Sequence, residues 1–129
     1  MNNVIKPHLI KPRLEKIIYD KLNPPANGVM VNIRPVDRID IRKSREELVT
    51  VTFERSLLIE PESLMRLTVI MAVDIPVDSI EFSKLDDPKG FIKNSQPTRT
   101  LIGYVSNLVS TITMHSGIGP IVTPPEEQA

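Results

Sequence analysis

Val49-Thr50-Val51-Thr52-Phe53-Glu54 and Met65-Arg66-Leu67-Thr68-Val69-Ile70-Met71-Ala72-Val73-Asp74-Ile75 are the stretches whose reading decides the fold. In the first, Val49, Val51 and Phe53 alternate with Thr50, Thr52 and Glu54, and Leu57 and Ile59 continue the series beyond Ser56. In the second, Met65, Leu67, Val69, Met71, Val73 and Ile75 alternate with Arg66 and Thr68. Successive strand side chains point to opposite faces, so a period of two marks a half-buried strand. Upstream, Val31, Ile33, Ile39 and Ile41 alternate with Asn32, Arg34, Arg38 and Arg42. Pro35 interrupts this strand, and its missing N–H implies a sheet edge or a bulge. Polar turns at Lys43-Ser44-Arg45-Glu46-Glu47 and Glu60-Pro61-Glu62-Ser63 separate the three strands. Short turns between such strands make an antiparallel meander, with one apolar face that must be covered.

The cover lies downstream. From Pro97 the period changes: Leu101, Val105, Leu108, Ile112 and His115 recur at spacings of four and three, and Ile102 and Val109 widen the stripe. The pattern predicts an amphipathic helix of about five turns. Pro97 suits its first turn, His115 its last and Gly117 the position beyond the cap. Laid on the meander, it gives a two-layer α+β domain. Phe53 and Val69 are then expected to share one core with Leu101, Val105, Leu108 and Ile112. Residues 76–97 read as turn-rich, with Phe82 and Phe91 pinning them to the core. Residues 13–22 are ambiguous. Leu14, Ile17, Ile18 and Leu22 sit at helical spacing, while Ile17 and Tyr19 sit at strand spacing. The local pattern leans towards helix, and Asn23-Pro24-Pro25-Ala26-Asn27-Gly28 is a loop.

Composition limits what this fold can do. The length of 129 residues suits a single domain over 1–129, with flexible ends expected at 1–7 and 124–129. Lys+Arg and Asp+Glu are both 16, so there is no basic excess for a non-specific grip on nucleic acid. The absence of cysteine removes disulfides, thiolate metal sites and a Cys nucleophile. No apolar run is long enough for membrane insertion. The start, Met1-Asn2-Asn3-Val4-Ile5-Lys6-Pro7, has no apolar signal core, so a cytoplasmic protein is expected. No phosphate-binding glycine loop, His-Glu-x-x-His or Gly-x-Ser-x-Gly motif occurs, and His8 and His115 lie at opposite ends of the chain. Asp74, Asp78 and Glu81 match no metal-loop spacing and read as turn carboxylates. No catalytic residue, metal site or cofactor is therefore expected, and the chain reads as a non-enzyme.

One signal stands out. A helix covering a sheet should carry charge on its outer face, yet Thr100 to Pro125 contains no Asp, Glu, Lys or Arg. The non-core face of the helix is Gly103, Tyr104, Asn107, Ser110, Thr111 and Met114. Charge depletion is the mark of an interface core. A homo-oligomer with residues 98–115 at the subunit interface is expected.

Strands followed by a charge-poor helix and the tail Gly117-Ile118-Gly119-Pro120-Ile121-Val122-Thr123-Pro124-Pro125 resemble the SecB family of export chaperones. The likeness is carried by Leu101 to Pro125 and is topological upstream. It implies a four-stranded antiparallel sheet with the helix on one face, residues 8–22 as the first strand and 23–29 as a crossover loop. It also implies a homodimer or homotetramer that holds non-native polypeptides without ATP, an activity the family links to protein export. Clients would lie by the first strand and crossover, at Tyr19, Leu22, Val29 and Met30. SecB proteins continue into a second C-terminal helix, and they dock their translocase motor on an acidic sheet surface. This sequence has no such stretch after Pro125, and it places Arg34, Arg38 and Arg42 on the solvent side of a strand. The alternative is an oligomeric adaptor of the same fold with one specific partner.

Overall fold

The computed structural model describes residues 4–6, 10–21, 31–60, 65–114 and 120–128. Four strands, β1 (Arg13–Lys21), β2 (Asn32–Arg45), β3 (Leu48–Glu60) and β4 (Met65–Pro76), form one antiparallel sheet in the order β1-β4-β3-β2. The meander of β2, β3 and β4 is the one the alternation predicts. A two-residue turn, Glu46-Glu47, joins β2 to β3. β2 is an edge strand, which is how Pro35 is tolerated. It pairs in register with Leu57, and the ladder's irregularity lies instead between Lys43 and Arg45. The N–H of Asp37, two residues on, points away from β3, so the N–H that Pro35 lacks would also have faced the free edge.

Residues 13–21 are strand, against their local helical pattern. The free edge of β4 offers this segment a full ladder, and pairing there outweighs a weak helical preference. The cost is visible: Leu14 and Ile18 remain 51% and 41% exposed. A shift in register between Leu14 and Lys16 makes Glu15 a bulge.

The odd-numbered positions of β3 and β4 face the core. Val51, Phe53, Val69, Val73 and Ile75 are fully buried there, and Leu101, Val105 and Val109 of α3 (Gln96–Thr113) meet them. Leu108 and Ile112 pack against the same core while half-buried. Pro97 lies in the first turn of α3, as its fixed φ favours. His115 and Gly117 lie outside the described residues. Where turns alone are expected, two short helices occur: α1 (Ser79–Ser83) and α2 (Pro88–Lys93), capped by the Asp78 and Asp87 side chains. Phe82 and Phe91 pack against the core as expected, and Ile92 is buried outright.

Both ends make contacts with the rest of the fold where they are described. Val4 is buried, Ile5 bridges Val77, and Lys6 pairs with Glu47 at 2.9 Å. At the other end, residues 124–128 are tied down by hydrogen bonds described below. α3 covers only β4 and β3, so the C-terminal tail supplies part of the remaining cover.

Phe53 has no exposed surface and sits at the centre of the sheet–helix contact. Phe53→Ala should cost about 3–5 kcal/mol of stability, since the surroundings of a buried ring collapse only partly into the cavity. Urea unfolding with an unchanged midpoint would mean that the core is centred elsewhere.

Candidate functional site

Position 55 breaks the alternation. It belongs to the buried series of β3, between Phe53 and Leu57, yet it is arginine and has no exposed side-chain surface. Directly opposite on β2 lies Asp37, also at a core-facing position and also fully buried in its side chain. Arg55 Nε and Nη2 donate to the two carboxylate oxygens of Asp37 at 2.8 and 2.7 Å, the two-pronged geometry that a guanidinium and a carboxylate favour. The Arg55 carbon Cζ also lies 5.4 Å from the centre of the Phe53 ring, which adds a cation–π contact.

Asp37 uses only part of this donor set. Nη1 of Arg55 donates to Ser106 Oγ on α3 at 2.8 Å, to Thr123 Oγ1 at 2.8 Å and to the Pro124 carbonyl at 2.7 Å. Nη2 donates to the Glu126 carbonyl at 2.8 Å. Ser106 Oγ donates in turn to the Pro124 carbonyl. One buried side chain thereby joins two strands, the long helix and the tail. The five N–H groups of the guanidinium meet six acceptors, so one proton is shared. No buried side-chain nitrogen or oxygen among the described residues lacks a partner.

The tail passes beneath this clamp without regular structure and bends at Pro125 and Glu126. Ile121 and Thr123 are buried while Val122, between them, is 83% exposed. The Ile121 N–H donates to Thr113 Oγ1, the Asp37 N–H donates to the Gln128 carbonyl, and the Gln128 N–H donates to an Asp37 carboxylate oxygen. Lys93 of α2 reaches Glu127 at 2.7 Å. Apart from that ion pair, Thr123 and the Gln128 side-chain amide, which donates to the tail's own Glu126 and Glu127 carbonyls, the tail's polar contacts here are made through its main chain.

Of the residues expected to bind clients, Tyr19 is half-buried against the core opposite Leu67, and Leu22, Val29 and Met30 lie outside the described residues. The six residues of the charge-free helix face lie together on the side of α3 away from the sheet. Tyr104, Asn107, Thr111 and Met114 are exposed, and Gly103 and Ser110 are half-buried. A Cβ at Gly103 would meet nothing within 4 Å. By register, Leu14 and Ile17 of β1 fall on the same side of the sheet as α3, beyond the helix's cover.

The opposite sheet face carries polar side chains together with the exposed Ile18 and Leu58. There Arg13 bonds Asp74 at 2.6 Å, tying β1 to β4, and Thr50 donates to the other Asp74 oxygen. Burial pushes the Asp74 carboxyl up. The hydrogen bonds from Thr50 and Arg13, with the charge of Arg13, outweigh it and hold the group below its ordinary value. Asp78 caps α1 and Glu81 pairs with Lys84, so the carboxylates weighed as metal ligands have separate structural roles. Among the described residues no three potential ligands converge, and no helix is long and apolar enough to cross a membrane.

No protein-family model and no curated sequence matches the chain. Solved structures do match. A SecB-like chaperone from Mycobacterium tuberculosis, solved with a peptide of the HigA1 antitoxin, superposes over 90% of this chain and 88% of its own at a TM-score of 0.72 and 12% identity. The chain has a SecB-like fold. A protein of unknown function from Streptococcus agalactiae also aligns, over 90% of this chain and 96% of its own, at a TM-score of 0.42 and 15% identity. The expected α+β architecture, a four-stranded antiparallel sheet with the long helix on one face, is thus the architecture observed.

Sequence reading missed the clamp, though its signal was available. Any register that sets Ile39 opposite Phe53 also sets Asp37 opposite Arg55, two opposite charges at inward positions. Asp37→Ala leaves the guanidinium buried without its counter-charge and should cost about 3–5 kcal/mol, as measured by urea unfolding. A loss below about 1 kcal/mol, the scale of exposed pairs, would mean that water replaces the carboxylate.

Proposed function

We propose that this SecB-like chain is an ATP-independent holdase that binds extended, non-native polypeptides, and that it is not an enzyme. The observation that carries this reading is the superposition on a SecB-like chaperone that itself holds a peptide. The half-exposed apolar side chains of β1 support it, because a holdase needs apolar surface that its own core does not consume. Clients are proposed to lie at Tyr19, Leu22, Val29 and Met30, by the end of β1 and the crossover. Tyrosine gives contact area at low entropy cost, and methionine adapts to varied side chains.

A homodimer or homotetramer is part of the proposal. Its interface is Gly103, Tyr104, Asn107, Ser110, Thr111 and Met114, met by a second copy. The open space above Gly103 lets a neighbouring backbone approach closely. A second reading, an adaptor for one partner, draws on the neighbour's occupant, a single antitoxin segment. A link to protein export belongs to neither reading more than the other.

Suppression of aggregation separates the two. A holdase should keep an unrelated denatured protein soluble at near-stoichiometric amounts, whereas an adaptor should leave its aggregation unchanged. Replacing Tyr19 and Met30 with Ser should weaken client binding while folding and assembly persist, as read by circular dichroism and sedimentation. Undiminished binding would move the site to the 82–92 segment around Phe82 and Phe91. Asn107→Glu and Ser110→Glu should each split the assembly, since an unpaired carboxylate is costly to bury. Sedimentation identical to wild type in both would leave this face solvated.

A further inference from the structure

The tail is recognised almost entirely through its backbone. Arg55 receives the carbonyls of Pro124 and Glu126, two residues apart, and Asp37 receives one N–H and donates one, both to Gln128. The two carbonyls flank the bend at Pro125, and a carbonyl is a group that every residue of a polypeptide carries. The side chains that enter are few: an aliphatic one at position 121 and a small hydroxyl-bearing one at 123, with Val122 in solvent between them. A single backbone–backbone hydrogen bond, from Asp37 to Gln128, joins the tail to the sheet. Little apolar surface holds this segment, and nothing in its main-chain contacts is particular to its own sequence.

From this geometry we infer that the Asp37–Arg55 clamp is a receptor for polypeptide main chain, and that residues 120–128 are its resident occupant, exchangeable for a client. The inference rests on the reading of the chain as a polypeptide-binding protein and gives that reading a second, tail-gated site. The ligand class is a segment with an aliphatic residue two positions before a small one. Exchange is coupled by the chemistry. When the tail leaves, Arg55 keeps Asp37 and Ser106 but loses Thr123 and two carbonyls, which strands buried donors. An incoming chain that supplies carbonyls restores those bonds. A purely apolar ligand does not, so the clamp discriminates polypeptide from other greasy molecules. The Lys93–Glu127 pair lies at the tail's outer end, where release would begin.

The test uses the full chain and a labelled peptide of residues 120–128. In wild type the tethered tail outcompetes the peptide, because it acts at high effective concentration. Ile121→Ser removes the tail's buried aliphatic anchor and leaves the clamp intact. The peptide should then bind at least about tenfold tighter, as the competent fraction rises. Adding Arg55→Lys should abolish that gain. Equal affinity for wild type and Ile121→Ser would overturn the inference. A measurement on the unaltered chain guards against a variant that misfolds. A saturating, permanently denatured client should speed amide exchange at Ile121, Val122, Thr123 and Gln128 while β3 keeps its protection. If a client binds and those amides do not speed up, the inference falls and the holdase reading stands. If the peptide binds the Ile121→Ser chain but no denatured protein binds any form, the clamp stands and the holdase reading falls.

Discussion

The ion pair of Asp37 and Arg55 is the constraint around which the covered side of the sheet is arranged. A guanidinium taken out of water is tolerated only when its charge is matched and every N–H is bonded. Asp37 matches the charge and takes two bonds, and α3 and the tail take the rest. The helix is consequently held over β3 and β4 with Ser106 towards Arg55, and the last residues of the chain are drawn across towards β2. An aliphatic side chain at position 55 would pack as well as its neighbours and demand none of this. The polar group adds specificity of arrangement where apolar packing would accept several.

That constraint divides the sheet into unlike edges. On the β2 side the tail reaches the edge strand, and Pro35, arginines and an irregular ladder end near Arg45 make the edge a poor template for further pairing. On the β1 side the core-facing surface runs out from under the helix. Leu14 and Ile17 are left partly in water there, Ile18 is exposed on the opposite face, and a bulge at Glu15 bends the strand. One edge is finished by the chain itself. The other carries apolar surface that its own fold leaves open.

What the sequence discloses follows the same division. β2, β3 and β4 were legible because each has one wet face and one dry face, which writes a period of two into the residues. The helix was legible for the same reason at its own period. β1 was not, because both of its faces are partly exposed and neither imposes a pattern. The spacing of Leu14, Ile17 and Ile18 imitates a helix, and only the open edge of β4 overrules it. The contacts of the tail were illegible for another reason. Its anchors are main-chain carbonyls and N–H groups, which every residue possesses, so no composition rule distinguishes a pinned tail from a frayed one. The charge-free face of α3 was legible as an anomaly and occupies the expected side of the helix. The proposed client residues other than Tyr19 fall outside the described part of the chain.

The clamp also orders events in time. Its bonds join residues 18, 51 and 71 positions apart in the chain. During synthesis from the N-terminus, Asp37 and Arg55 can pair as soon as the β2–β3 hairpin forms, but the remaining donors wait for α3 and then for residues 120–128. Closing such long loops is entropically slow, so the covered side of the sheet seals last. Until residues 123–126 are in place, the covered side of the sheet holds a guanidinium that lacks part of its bonding set.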